Sequence, residues 1–164
     1  MATGPAQRDR GSDLDAYLRL NAESEAMLSP LDTASLTALL QTAYVAILTP
    51  KRDAMLIALD QDAVYESPNF AWFRARYPRF AYVDRIAVSA SSRGRGMART
   101  LYGELIARAI EDGYPVLCAE INYEPPNAAS DAFHAAMGFE EVGRAHLSDR
   151  AKSVRYVVRR LTAD

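Results

Sequence analysis

Apolar residues recur along the 164-residue chain with two periods, and the switches between them outline its elements. The runs 43–48 (AYVAIL) and 54–59 (AMLIAL), separated by Thr49-Pro50-Lys51-Arg52-Asp53, predict an antiparallel hairpin. A further strand is expected over 82–88 (YVDRIAV), which runs into the glycine-rich turn Arg93-Gly94-Arg95-Gly96-Met97-Ala98. From Met97 to about Asp112 the spacing turns helical: Ala98, Leu101, Leu105 and Ala109 form one stripe, reinforced by Ile106 and Ile110, and Gly113 is placed to end it. The run 115–121 (PVLCAEI) predicts a buried strand, returned parallel to 82–88 by a right-handed crossover. Asn127 is placed to cap a helix over 128–137; Gly138-Phe139 ends it and opens a strand through Val142-Gly143. The last strand is expected over 153–161, with Val154, Tyr156 and Val158 on one face. Earlier in the chain, 17–20 (YLRL) reads as a first strand and 22–28 as a helix stopped by Ser29-Pro30. Asp32 or Thr33 then caps a second helix carrying Leu36, Leu39 and Leu40.

One stretch breaks these periods. Between Asp60 and Phe80, the aromatics Tyr65, Phe70, Trp72, Phe73 and Tyr77 are interleaved with Glu66, Asn69, Arg74, Arg76 and Arg79. Two readings stand: a lid or wall over a substrate pocket, its arginines offered to a substrate carboxylate or phosphate, and a surface helix whose aromatics pack on the sheet.

Composition narrows the function classes. Half the residues are apolar, which suits one globular domain, expected over 13–164 behind a loose tail over 1–12. A net charge of −2 argues against a dedicated nucleic-acid binder. The single Cys118 excludes an intrachain disulfide and a multi-cysteine metal site, reads as a core residue, and suits a reducing compartment. With no membrane-length apolar run and no signal-peptide core, a cytoplasmic protein without a membrane partner is expected, and a homodimer stays open. No metal site is expected, and His146 has no partner at metal spacing.

The stretch 93–98 carries the first chemistry. Strand, glycine turn and helix start form an anion-binding layout, because the first N–H groups of a helix lack intrahelical partners and sit at the positive end of its dipole. A dinucleotide fingerprint fails at Arg99, where a third glycine is wanted, and no Gly-Lys-Ser/Thr tripeptide supports a P-loop. Arg93-x-x-Gly96-x-Ala98 after a hydrophobic strand instead resembles the pyrophosphate signature of the GNAT superfamily of acyl-CoA N-acyltransferases. The segment Asn127-x-x-Ser130-x-x-Phe133-His134-x-x-x-Gly138-Phe139 is similar to the other signature region of that superfamily, in the right order and spacing.

The resemblance implies an α/β (α+β) fold: a mixed, mostly antiparallel sheet of about six to seven strands flanked by about four helices. It further implies acetyl-CoA as donor, CoA as product, and direct transfer to a primary amine of a small molecule or peptide. Ala87 and Val88 would offer backbone groups to the pantetheine arm; Arg93, Gly94, Arg95, Gly96, Met97 and Ala98 would hold the pyrophosphate; Asn127, Ser130 and Phe133 would contact the cofactor. The family's usual tyrosine, the acid for the departing thiolate, corresponds here to His134, whose imidazole titrates near neutrality. For the base, Glu120 and Asp84 are candidates, each a carboxylate among apolar strand residues. Asp84 shares strand parity with Ile86 and Val88, and an arginine pair is its alternative role; Glu120 is expected at a strand's carboxyl end. Because His134 departs from the pattern, a non-catalytic acyl-CoA-binding module is a competing reading, and a protein N-terminal or lysine acetyltransferase is another. The motifs leave the acceptor, and the length of the acyl group, open.

Overall fold

In the computed structural model, which describes residues 10–162, the sheet is built outward from β2 (Ala54–Asp60). Every residue from Ala54 to Leu59 is buried, as a continuous apolar run requires when both sheet faces are covered. β1 (Val45–Leu48) pairs with it antiparallel, as the hairpin pattern predicts. The Thr49 hydroxyl ties the turn, accepting from the backbone N–H groups of Asp53 and Ala54. On the other side β2 pairs antiparallel with β3 (Ala81–Val88), which lies parallel to β4 (Val116–Glu124). β5 (Glu140–Leu147) and β6 (Lys152–Arg160) complete a six-stranded sheet of order β1-β2-β3-β4-β6-β5.

The sheet is covered on both faces. One face carries α1 (Arg10–Glu23), α2 (Thr33–Thr42) and α3 (Pro68–Arg74), packed through Leu20, Leu36, Leu39, Phe70 and Phe73. The other carries α4 (Met97–Glu111) and α5 (Ala128–Ala136), packed through Leu101, Leu105, Ala109 and Met137. α2 starts in a capping box, the Asp32 carboxylate accepting from the Ser35 N–H while the Ser35 hydroxyl accepts from the Asp32 N–H. Among the described residues five α-helices stand where about four are expected, and the sheet is mostly antiparallel with one parallel pair, as expected.

Two expectations near the start of the chain are corrected. The segment 17–20 is the middle of α1, whose Ala16, Tyr17 and Leu20 bury one helical face, and the helix expected over 22–28 is mostly a run of turns. The tail expected over 1–12 lies outside the described residues up to position 9, and Arg10 opens α1. Between Asp60 and Phe80, Ser67 caps the short helix α3 with Pro68 in its first turn, and Phe70, Phe73 and Phe80 are fully buried. Each such ring contributes roughly 1.5–3 kcal/mol by leaving water. The three arginines there lie over aromatic rings: Arg74 over Phe70, Arg76 over Trp72 and Arg79 over Tyr114, the last also donating to the Asp112 and Gly113 carbonyls.

Two irregularities of register shape the middle of the sheet. β3 and β4 are paired at only two positions, Ala81↔Leu117 and Tyr82↔Cys118, yet β3 continues to Val88 and β4 to Glu124. Beyond Tyr82 the strands therefore diverge and leave backbone edges facing a gap. β3 also carries a bulge, since Ile57 faces Arg85 and Ala58 faces Val83, with Asp84 as the extra residue. The bulge switches parity: Tyr82 and Ala87 pack toward α1–α3, while Val83, Ile86 and Val88 pack toward α4 and α5. The parity that the sequence pattern assigns to Asp84 is thus overturned.

Candidate active site

The gap between β3 and β4 opens to both faces of the sheet. On the α4–α5 face, Val83, Ile86, Tyr102, Ala119, Ile121, Asn127, Ser130 and His134 line a cavity of about 130 Å³. On the α1–α3 face, a larger cavity of about 360 Å³ is walled by Leu28, Tyr65, Asn69, Val154 and Lys152, among others. Met27, Leu28, Asp84, Arg85, Glu120 and Asn122 line both cavities, so these six residues, four of them polar, sit at the junction.

Glu120 is the group at this junction poised to exchange a proton. The Tyr82 hydroxyl donates to its Oε2 at 2.7 Å across the diverging strands. Part of the residue stays open to the cavities, but protein surrounds the carboxyl closely. Burial pushes its pKa up to about 7, and the nearby Asp84 charge pushes the same way, against the Tyr82 and Asn69 hydrogen bonds that lower it. β4 runs on to Glu124, so Glu120 stands where β4 has left β3 and not at the strand's end.

Asp84 has a different environment. Its carboxylate accepts from Arg85 Nε at 2.8 Å, and both side chains are only 4% exposed. Arg85 also donates to Asn21 Oδ1 at 2.8 Å and to the Ser29 carbonyl at 3.2 Å, which fastens the α1–α2 connection against the cavity. Two adjacent strand residues reach one another here because the bulge turns both toward the α1–α3 side. Removing either partner would strand a buried charge, at about 3–5 kcal/mol.

His134 is buried and hydrogen-bonded at both ring nitrogens. Nδ1 lies 2.8 Å from the Ser130 carbonyl, which only accepts, so Nδ1 carries the proton; Nε2 then accepts from the Tyr102 hydroxyl at 2.8 Å. Burial lowers the pKa of the ring, against the Ser130 hydrogen bond, and keeps it neutral at pH 7. Cys118 is fully buried, and its thiol is pushed up by burial, which suits a core residue.

The remaining expected residues gather around the start of α4. Val88, Arg93, Gly94, Gly96, Met97, Ala98 and Phe133 line a cavity of about 350 Å³, together with Ser92 and Arg99; Arg95 is not among its walls. Gly94 and Gly96 have φ of +80° and +74°, a left-handed backbone that glycine adopts without strain. Gly96 is the N-cap of α4 and no side chain caps that end, which leaves the first helical N–H groups free for a ligand. Ser89 N–H bonds to the Asp53 carbonyl, so by antiparallel alternation Ala87 spends its backbone on β2, whereas Ile86 and Val88 turn theirs to the gap. Of the two residues expected to offer backbone groups, Ala87 thus faces β2, and Val88, whose carbonyl accepts from Arg93 Nε, faces the gap with Ile86.

The sequence reading also missed Tyr82, Arg85 and Tyr102, of which only Arg85 had a signal, a charged residue inside an apolar strand; Asn69 lies in the stretch for which a pocket wall was one reading, and it lines the larger cavity. The described residues hold no cluster able to bind a metal and no helix long and apolar enough to cross a membrane.

Comparison with known proteins gives the family and the fold. A model of the Acetyltransferase (GNAT) family matches residues 55–139, just over half of the chain, and the chain belongs to that family. The L-2,4-diaminobutyric acid acetyltransferase of Wolinella succinogenes is 30% identical over 87 residues, 49% of this chain, and the match spans 50% of that relative's length. Among solved structures, the ribosomal-protein-S18-alanine N-acetyltransferase of Escherichia coli is similar over 93% of this chain and 90% of its own, with a TM-score of 0.68 at 17% identity. A phosphinothricin acetyltransferase from Sinorhizobium meliloti, solved in complex with acetyl-CoA, is similar over 92% of this chain and 84% of its own, with a TM-score of 0.65 at 20% identity. At these identities the structures share the fold.

Proposed function

We propose that the protein is an acetyl-CoA-dependent N-acetyltransferase that transfers the acetyl group directly to a primary amine, with Glu120 as general base. The observation that carries this reading is the Glu120 carboxyl, raised to about 7 at the junction of the two cavities. A base with that pKa is about half ionised at neutral pH and strong enough to hold the proton it takes.

The chain's own groups fit the donor. Free N–H groups at the start of α4, with the backbone opened by Gly94 and Gly96, suit its pyrophosphate, and Arg93 and Arg99 line the same cavity. The open edge of β3 at Ile86 and Val88 suits the amide-bearing pantetheine arm, which can pair there as an added strand would. Acetyl-CoA supplies an activated acetyl group as a thioester. Asn127 and Ser130 line the cavity between this edge and α5, where Phe133 borders the pyrophosphate end.

The acceptor enters from the α1–α3 face, and Glu120 removes the proton its ammonium must lose before the nitrogen can attack. Tyr82 holds the carboxylate in place. Asp84, committed to Arg85, keeps Glu120 raised and fixes the wall. On the donor side the proton between Tyr102 and His134 belongs to the tyrosine, so Tyr102 and His134 act as one unit in any proton delivery to the departing thiolate. The test is thiol release from acetyl-CoA with an amine panel beside CoA binding by calorimetry. Release that depends on amine supports the enzyme; CoA binding without release supports a binding module instead.

A further inference from the structure

Resting on the acetyltransferase reading, we infer that the acceptor is a small aminocarboxylate, and that Arg150 and Lys152 bind its carboxylate while its amine faces Glu120. The cavity on the α1–α3 face is lined by three carboxylates, Glu25, Asp84 and Glu120, and three cations, Arg85, Arg150 and Lys152. Asp84 and Arg85 neutralise one another at 2.8 Å. Among the described residues, Arg150 and Lys152 form no ion pair, although the chain contains 21 acidic residues. Two uncommitted cations thus share a cavity with a carboxyl poised to take a proton.

Their placement is set by the sheet. β4 and β6 pair antiparallel with Glu120 opposite Tyr156 and Asn122 opposite Val154. Alternation along β6 puts Lys152, Val154 and Tyr156 on the face that Glu120 shares, and Lys152 and Val154 line the cavity with it. Lys152 stands four residues from Tyr156, roughly 13 Å along the strand at about 3.3 Å per residue. Arg150 ends the single 3₁₀ turn Ser148–Arg150 just before β6. Both side chains are long and flexible, and both line the same cavity of about 360 Å³ as Glu120, room enough for an amino acid between them.

Charge decides between acceptor classes. A polyamine would bring its second ammonium towards Arg150 and Lys152, an unfavourable like-charge contact that Glu25, the other carboxylate of the lining without an ion pair among the described residues, offsets only in part. A protein lysine side chain has no carboxylate to give them. An amino acid or diamino acid satisfies both ends, and the Arg150 guanidinium suits bidentate binding of a carboxylate.

Thiol release from acetyl-CoA by the full chain, measured with amino acids and diamino acids and with their decarboxylated amines and carboxamides, tests the inference. The acids are expected to have a kcat/KM at least about tenfold higher than their decarboxylated partners. In the Arg150→Ala/Lys152→Ala variant that ratio should collapse through a rise in KM for the acids, with kcat changed much less. Equal or better use of the decarboxylated amines by the wild type, or an unchanged KM in the variant, overturns the inference while the acetyltransferase reading stands. If no amine in the panel, N-terminal peptides included, releases thiol, that reading falls and the inference with it.

Discussion

The Tyr82 hydroxyl reaches across the split between β3 and β4 to donate to Glu120 Oε2 at 2.7 Å. This bond stabilises the charged carboxylate, so it opposes the burial that raises Glu120. Tyr82→Phe removes the bond without opening a cavity, and the pKa of Glu120 should rise further, by about one unit. The acid limb of the kcat/KM–pH profile should therefore move to higher pH, with activity lost at pH 7 and largely regained near pH 9. A limb that stays put or moves down would separate Tyr82 from the base.

The same carboxyl links stability to pH. Its folded pKa, about 7, lies above the ordinary value of 4.5, so the folded state holds a proton that the unfolded chain releases between those values. The stabilisation is complete below pH 4.5 and is lost as pH rises through 7. Glu120→Gln removes this dependence: the variant should gain up to about 3 kcal/mol over wild type at pH 8 and little at pH 4.5. Denaturant unfolding at the two pH values reads this directly.

Much of the architecture was legible because it rests on local spacing. The stripe Ala98, Leu101, Leu105, Ala109 and the two runs around Thr49 each state an element by themselves, and both are found. α1 misleads because the polar Asn21 occupies a place on its buried face, where it bonds to Arg85 and Ser29. The aromatics of α3 resemble a lid because arginines separate them; those arginines lie over the rings while Phe70, Phe73 and Phe80 fill the core. The bulge at Asp84 has no local signature, since it depends on which β2 residue faces Arg85. For that reason Asp84 and Glu120 could be named as candidates, but their different environments could not.

His134 gives a prediction about protonation. With Nδ1–H bound to the Ser130 carbonyl and Nε2 accepting from Tyr102, the ring should remain the neutral Nδ1–H tautomer at pH 7. Nitrogen NMR of the imidazole checks this. An imidazolium signal at pH 7 would restore a direct acid role for His134.

Gly96 tests the phosphate cradle. Its φ of +74° costs any residue with a Cβ roughly 1–2 kcal/mol, and a β-branched one more. Gly96→Val should therefore distort the start of α4 and weaken CoA binding more than Arg95→Ala, since Arg95 does not line the cavity. Calorimetry giving the reverse order would place the pyrophosphate elsewhere.

The central claim is that Glu120 takes the proton from the acceptor amine. Thiol release from acetyl-CoA should be followed from pH 5.5 to 9 for wild type and Glu120→Gln, with CoA affinity measured alongside. The account predicts a wild-type profile with an acid limb near pH 7, and a variant that binds CoA normally but turns over roughly a hundredfold or more slowly without that limb. A variant within a few-fold of wild type, with the same limb near pH 7, would contradict it.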